Sequence, residues 1–139
     1  MIRTYLDAGV LIIAARGVGD ASDRALTILE DRDREFVSSL FLKLEVLPKA
    51  IYNQQSDEVA FYEDFFTAVT DWVSEEDVIS QQACQIACRY GLAAMDALHV
   101  ASALALGADE LITTEKPSKP MHRVPLLRIV SIHPEAQPE

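Results

Sequence analysis

Arg3-Thr4-Tyr5-Leu6-Asp7-Ala8-Gly9-Val10-Leu11-Ile12-Ile13-Ala14-Ala15 passes from a strand signal into a helix signal through a single aspartate. Arg3 to Leu6 reads as a short first strand, and Asp7 is a residue type that caps the helix announced by the apolar run Val10 to Ala15. Beyond it, Gly17-Val18-Gly19 breaks that helix and Asp20-Ala21-Ser22-Asp23 opens a second, with Ala25, Leu26 and Leu29 on one side. Phe36-Val37 reads as a second strand. Ser38-Ser39 precede a helix from Leu40 to Tyr52, in which Leu40, Leu44 and Leu47 recur at helical spacing and Pro48 predicts a kink beside Glu45. A helix starting at Ser56 carries Phe61, Phe65, Phe66 and Val69, and Trp72-Val73 reads as a brief third strand. Ser74-Glu75-Glu76-Asp77 has the cap-and-dipole signature of a helix running through Tyr90 to Gly91. A further helix spans about Ala94 to Leu106, Leu111-Ile112-Thr113 forms a fourth strand, and Leu126 to Ile132 a fifth. Strands alternating with helices predict an α/β fold: a mainly parallel central sheet flanked by helices, with ligands at the carboxyl ends of the strands.

The 139 residues, half of them apolar and 24% charged, suit one domain with one core, which excludes overall disorder. The domain is expected over residues 1–133, with the polar, Pro-containing stretch 134–139 as a disordered tail. No run approaches the roughly 18 charge-free apolar residues needed to span a bilayer. The N-terminus reaches Asp7 too early for a signal peptide, so the expectation is a soluble cytoplasmic protein with no membrane partner. Cys84 and Cys88 are too few and too local for a disulfide framework, lack the second ligand pair of a zinc site, and are assigned to helix packing.

Charge frames the functional question. Twelve Lys and Arg stand against 22 Asp and Glu, a net of −10, which opposes phosphate binding unless bases are concentrated or metal ions intervene. From Asp57 to Asp77 there are eight acids and no Lys or Arg, the pattern of a solvated face. From Lys116 to Arg128 there are four bases and no acid.

Four acids interrupt the apolar pattern: Asp7 after strand one, Glu45 among leucines in mid-helix, Asp96 opening a helix of Ala, Leu and Val, and Glu115 ending strand four. Carboxylates near a core are costly unless paired, and no Lys or Arg lies between Lys49 and Arg89. Hard divalent cations such as Mg2+ and Mn2+ take oxygen ligands and would offset the crowded charge. Ions held in this way activate water and stabilise the leaving oxygen in phosphodiester hydrolysis. Alternation along strand four puts Thr113 on the face of Glu115, and His99, three residues after Asp96, shares its helical face.

Tyr5 to Ile12, Ser38-Ser39 through Glu45, Met95 to Ala103 and Gly107 to Glu115 resemble, in that order, the PIN-domain nuclease family. These segments run over nearly the whole chain, and the first and third are the more specific. The resemblance implies a PIN-like three-layer fold and cleavage of single-stranded RNA with Mg2+ or Mn2+. It implies catalytic metal ligands at Asp7, Glu45 and Asp96, with Glu115 in the fourth acidic position. Small bacterial members similar in size to this chain are the toxin halves of toxin–antitoxin pairs, the VapC type, which implies an antitoxin partner. Two positions depart from the family: Gly9 stands where Asn is common, and Glu115 where Asp is usual.

Simpler roles remain open for each acid: helix capping for Asp7, a first-turn dipole contact for Asp96, a snorkelling surface residue at Glu45, and a loop pair with Lys116 for Glu115. His99 is expected to be a packed, hydrogen-bonded supporting residue rather than a ligand, with Thr113 a second supporting group. Lys116, Lys119, His122 and Arg123 follow Glu115 and are candidate contacts for RNA phosphates, or an ordinary solvated loop. Phe61, Phe65, Phe66 and Trp72 suit either the core or a dimer or partner surface. The combined expectation is a homodimeric endoribonuclease held by an antitoxin. The alternatives are a catalytically inactive PIN-like module that binds a protein or RNA, and a phosphorylatable aspartate switch.

Overall fold

The computed structural model describes residues 1–136. Along the chain run β1 (Ile2–Leu6), α1 (Ala8–Arg16), α2 (Asp20–Leu29), β2 (Arg34–Ser38), α3 (Leu40–Tyr52), α4 (Ser56–Ala68), β3 (Asp71–Trp72), α5 (Glu76–Tyr90), α6 (Ala94–Ala105), β4 (Glu110–Thr113), a 3-10 turn (Pro120–Arg123) and β5 (Arg128–Ser131). The strands form one sheet in the order β3-β2-β1-β4-β5, and every pairing is parallel. This is the three-layer α/β architecture expected from the alternation of elements.

Side chains alternate across the sheet, so neighbours in sequence feed opposite layers. Tyr5, Val37 and Leu111 pack with Ile79, Ala83, Val100 and Ala103 beneath α5 and α6. Leu6, Phe36 and Ile112 pack with Val10, Leu11, Leu42, Tyr62, Phe65 and Phe66 beneath α1, α3 and α4. The aromatic group of α4 is therefore core: Phe65 and Phe66 are buried, and Phe66 lies 5.7 Å from Trp72 between ring centroids. At the amino ends of the strands, Thr4 and Arg34 both bond Glu110 at 3.1 and 3.0 Å, fastening β1, β2 and β4 through a carboxylate only 4% exposed.

Several boundaries differ from the sequence expectation. β3 is Asp71–Trp72 rather than Trp72-Val73, and β5 is shorter than Leu126 to Ile132 because pairing to β4 spans only Glu110–Thr113. Glu75, not Ser74, occupies the cap position of α5 and makes no side-chain cap bond. Cys84 and Cys88 do not pack a helix; both are exposed, since α5 buries Ile79, Ala83 and Ile86 instead. In α3 the buried face is Leu42, Val46 and Ala50, whereas Leu40 and Leu44 face solvent, Leu44 at 60% exposure. The helix nevertheless runs from Leu40 to Tyr52 with Pro48 inside it.

Of the expected tail 134–139, residues 134–136 are described, the Ala136 N–H donating to the carbonyl of His133 at 2.8 Å; positions 137–139 lie outside the described residues. Among the described residues no helix is long and apolar enough to cross a membrane.

Candidate functional site

In a parallel sheet of this order, chain connections leave β1 and β4 in opposite directions. A crevice therefore opens at the carboxyl ends of these adjacent strands, the usual ligand position in open α/β sheets. Asp7 occupies that point. Its backbone N–H is bonded to the Ile112 carbonyl at 3.0 Å, which ties the turn after β1 to β4. The side chain caps α1, with Oδ1 accepting the Val10 N–H at 3.3 Å, so the capping role is real. The other oxygen accepts the Thr113 hydroxyl from β4, and Thr113 Oγ1 in turn accepts the Glu115 N–H at 3.0 Å. Asp7 is only 7% exposed, and burial is the main reason its carboxyl is pushed up to about 6; the Thr113 hydrogen bond opposes the shift and the charge of Asp96 adds to it.

The other acids approach from helices and from the loop after β4. Asp96 lies in the first turn of α6, where burial raises its pKa, with the charges of Glu115 and Glu45 pushing the same way. Glu115 lies two residues past the end of β4, half-buried, in a loop fixed by the Ser131 hydroxyl donating to its carbonyl at 2.6 Å. Glu45 projects from α3 and bonds Nε2 of His99. Asp7, Glu45, Asp96 and Glu115 thus form a chain of repelling carboxylates, with Asp96 as the member that feels the other three.

His99 is 2% exposed, and its Nδ1 meets the Tyr5 hydroxyl at 2.8 Å. Tyr5 also bonds Ser39 at 2.6 Å, and Ser39 caps α3 by accepting the Leu42 N–H at 3.2 Å. Sequence reasoning missed Tyr5 and Ser39 as parts of the site. Tyr5 was legible only as a polar tip on an apolar strand, two residues before Asp7.

The basic loop divides. Lys116 pairs with Glu135 at 3.7 Å, not with Glu115. The His122 ring donates to the Glu115 carbonyl at 3.3 Å, Lys119 is exposed, and Arg123 reaches back over Gly91 at the end of α5. Gly9 faces the site from the first turn of α1. A Cβ placed there would lie 2.0 Å from Thr114 Oγ1, so the Thr114 side chain fills the room that an Asn at this position would need.

Oxygen donors with raised proton affinity in a crevice suit a hard divalent cation. Among the described residues, no three His, Cys, Asp or Glu side chains stand together as a ready cage, so an ion would draw the carboxylates inward from their present partners. The residues able to meet it are Asp7, Asp96, Glu45 and Glu115.

Comparison with known proteins bears on the fold. The fold matches chains in the DNA-bound VapBC2 structure from Rickettsia felis (TM-score 0.70, 15% identity, covering 94% of this chain and 98% of that one). It likewise matches DNA-bound VapBC from Salmonella typhimurium (TM-score 0.69, 17% identity, 95% and 99%). A toxin–antitoxin complex from Klebsiella pneumoniae matches at TM-score 0.67 and 19% identity, covering 94% and 98%. No curated protein matches the chain by sequence. The PIN domain profile matches residues 4–117, from the middle of β1 to the loop after β4, and the chain belongs to the PIN domain family.

Proposed function

We propose that the protein is a divalent-metal-dependent endoribonuclease that cleaves RNA phosphodiester bonds, the toxin of a toxin–antitoxin pair acting in the cytoplasm as a homodimer. The observation that carries this reading is the mutual repulsion of Asp7, Glu45, Asp96 and Glu115 at the β1–β4 crevice, where burial holds Asp7 near pKa 6. Mg2+ or Mn2+, when bound, would supply the positive charge that relieves this repulsion and polarise the phosphodiester and its attacking water. Asp7 is fixed by the α1 cap and Thr113 and offers a rigid ligand, and Asp96 is presented from the first turn of α6. Glu45 and Glu115 close the site from its sides. Lys116 and Lys119, exposed beside Glu115, would receive the RNA backbone, while Arg123 serves it less directly from its place over Gly91.

An antitoxin partner is supported by the kinship in fold to chains from toxin–antitoxin complexes. A homodimer is supported by the apolar stripe left in solvent on α3. The test is manganese titration by calorimetry, comparing wild type with Asp96→Asn, followed by cleavage of a mixed RNA pool. Binding and cleavage by wild type, both lost in Asp96→Asn, is the expected result. Equal binding by the two proteins would overturn the assignment. The second reading, an inert PIN-like binding module, is favoured by Thr114 filling the space over Gly9, and it expects RNA binding without cleavage.

A further inference from the structure

Glu45 lies in the middle of α3, away from any cap or strand end, with Lys49 one turn on and Arg16 lining the same pocket, and its carboxylate is held. What holds it is a buried line of hydrogen bonds whose direction is set once the His99 ring is neutral. An ionised Glu45 only accepts, so His99 Nε2 must carry the proton in that bond. In a neutral imidazole Nδ1 is then bare and accepts from the Tyr5 hydroxyl at 2.8 Å. Tyr5 oxygen, having given its proton to His99, accepts from the Ser39 hydroxyl at 2.6 Å. Ser39 oxygen accepts the Leu42 N–H at 3.2 Å. With the ring neutral, the proton positions along this line all point towards Glu45.

Tyr5 and Ser39 are fully buried and His99 nearly so, which removes water as a competing partner. Burial also pushes the Tyr5 phenol well above its ordinary value, so it remains an O–H donor. The line draws on three elements: the cap of α3, strand β1 next to Asp7, and α6 one turn beyond Asp96.

We infer that His99, locked as its Nε2–H tautomer by the Tyr5–Ser39 line, is a positioning residue that aims Glu45 into the carboxylate site. The inference rests on the metal-site reading above and adds to it the device that orders the ligand supplied by α3. Outer partners of this kind are worth about 10- to 100-fold in metal affinity in other proteins.

Two measurements test it. In the metal-free protein with 15N-labelled histidine, the His99 ring is expected to show a protonated Nε2 and a bare Nδ1 at neutral pH; the reverse tautomer or a doubly protonated ring would overturn the inference without touching the metal site. Manganese affinity is then compared among folded variants. His99→Phe should bind at least about tenfold more weakly. His99→Gln, whose amide can keep an N–H on Glu45, should stay within about threefold of wild type, and Tyr5→Phe should fall between them. Wild-type affinity in His99→Phe, or a His99→Gln as weak as the Phe variant, would overturn the positioning role. If His99→Phe fails to fold, the Tyr5→Phe and His99→Gln pair decides, with wild-type affinity in Tyr5→Phe counting against the inference. Failure of the underlying reading looks different: wild type and Asp96→Asn would be alike, and the inference would fall with it.

Discussion

The Asp7 carboxyl titrates near 6 in the folded chain, against about 3.8 for its ordinary value, because burial disfavours its charge. Between those values the folded state holds the extra proton, so the contribution of Asp7 to stability is present below about pH 4 and is lost as pH rises through 6. At neutral pH the charged group therefore strains the metal-free fold. Asp7→Asn should raise metal-free stability by about 1–3 kcal/mol at pH 7.5, with the gain shrinking towards zero near pH 4. Urea denaturation in the presence of a chelator checks this, and the same variant should lose RNA cleavage. Glu110 presents the opposite case, a carboxylate whose burial is compensated. Arg34→Met would remove its Arg34 ion pair, at a cost of about 3–5 kcal/mol in urea denaturation. That change lies at the amino ends of the strands, so metal affinity in the folded fraction should be unaffected.

Among the elements, α1 and α3 were legible because their caps, Asp7 and Ser39, directly precede apolar periodic runs. The strands were legible in order but not in extent, since a strand ends where its partner does, and β5 can pair only over the length of β4. The meaning of Leu40, Leu44 and Leu47 was not legible. Periodicity reveals that a helix has an apolar face, not whether the same chain covers it, and here Leu42, Val46 and Ala50 take the core. The stripe from Leu40 through Leu44 to Ile51 and Tyr52 instead remains in solvent, with Tyr52 85% exposed. Leu44→Glu should therefore convert the proposed dimer to monomer in sedimentation analysis while leaving thermal stability of the protomer within about 0.5 kcal/mol, as for other surface changes. Of the candidate site, the four acids were legible as misfits in apolar surroundings. The Tyr5–His99 line was not, because it joins residues 94 apart that only the β1–α6 packing brings together.

For the whole molecule, a net charge of −10 means that the proposed RNA substrate would approach against a repulsive field except where bases gather. Lys116 and Lys119 are exposed in the loop that follows Glu115, the concentration of bases proposed to receive the RNA. Lys116→Ala with Lys119→Ala should weaken RNA binding and reduce the slope of log affinity against log salt by about 1.4, or about 0.7 for each phosphate no longer neutralised. An unchanged slope would exclude this loop from the RNA path. The packing of Thr114 over Gly9 also bears on the history such a molecule can have. With Thr114 Oγ1 lying 2.0 Å from where a Cβ would stand, any side chain at position 9 collides until residue 114 rotates away or shrinks. The two positions are therefore linked in the order of their changes: substitution at 114 opens the route to substitution at 9, and the reverse order passes through a damaged intermediate.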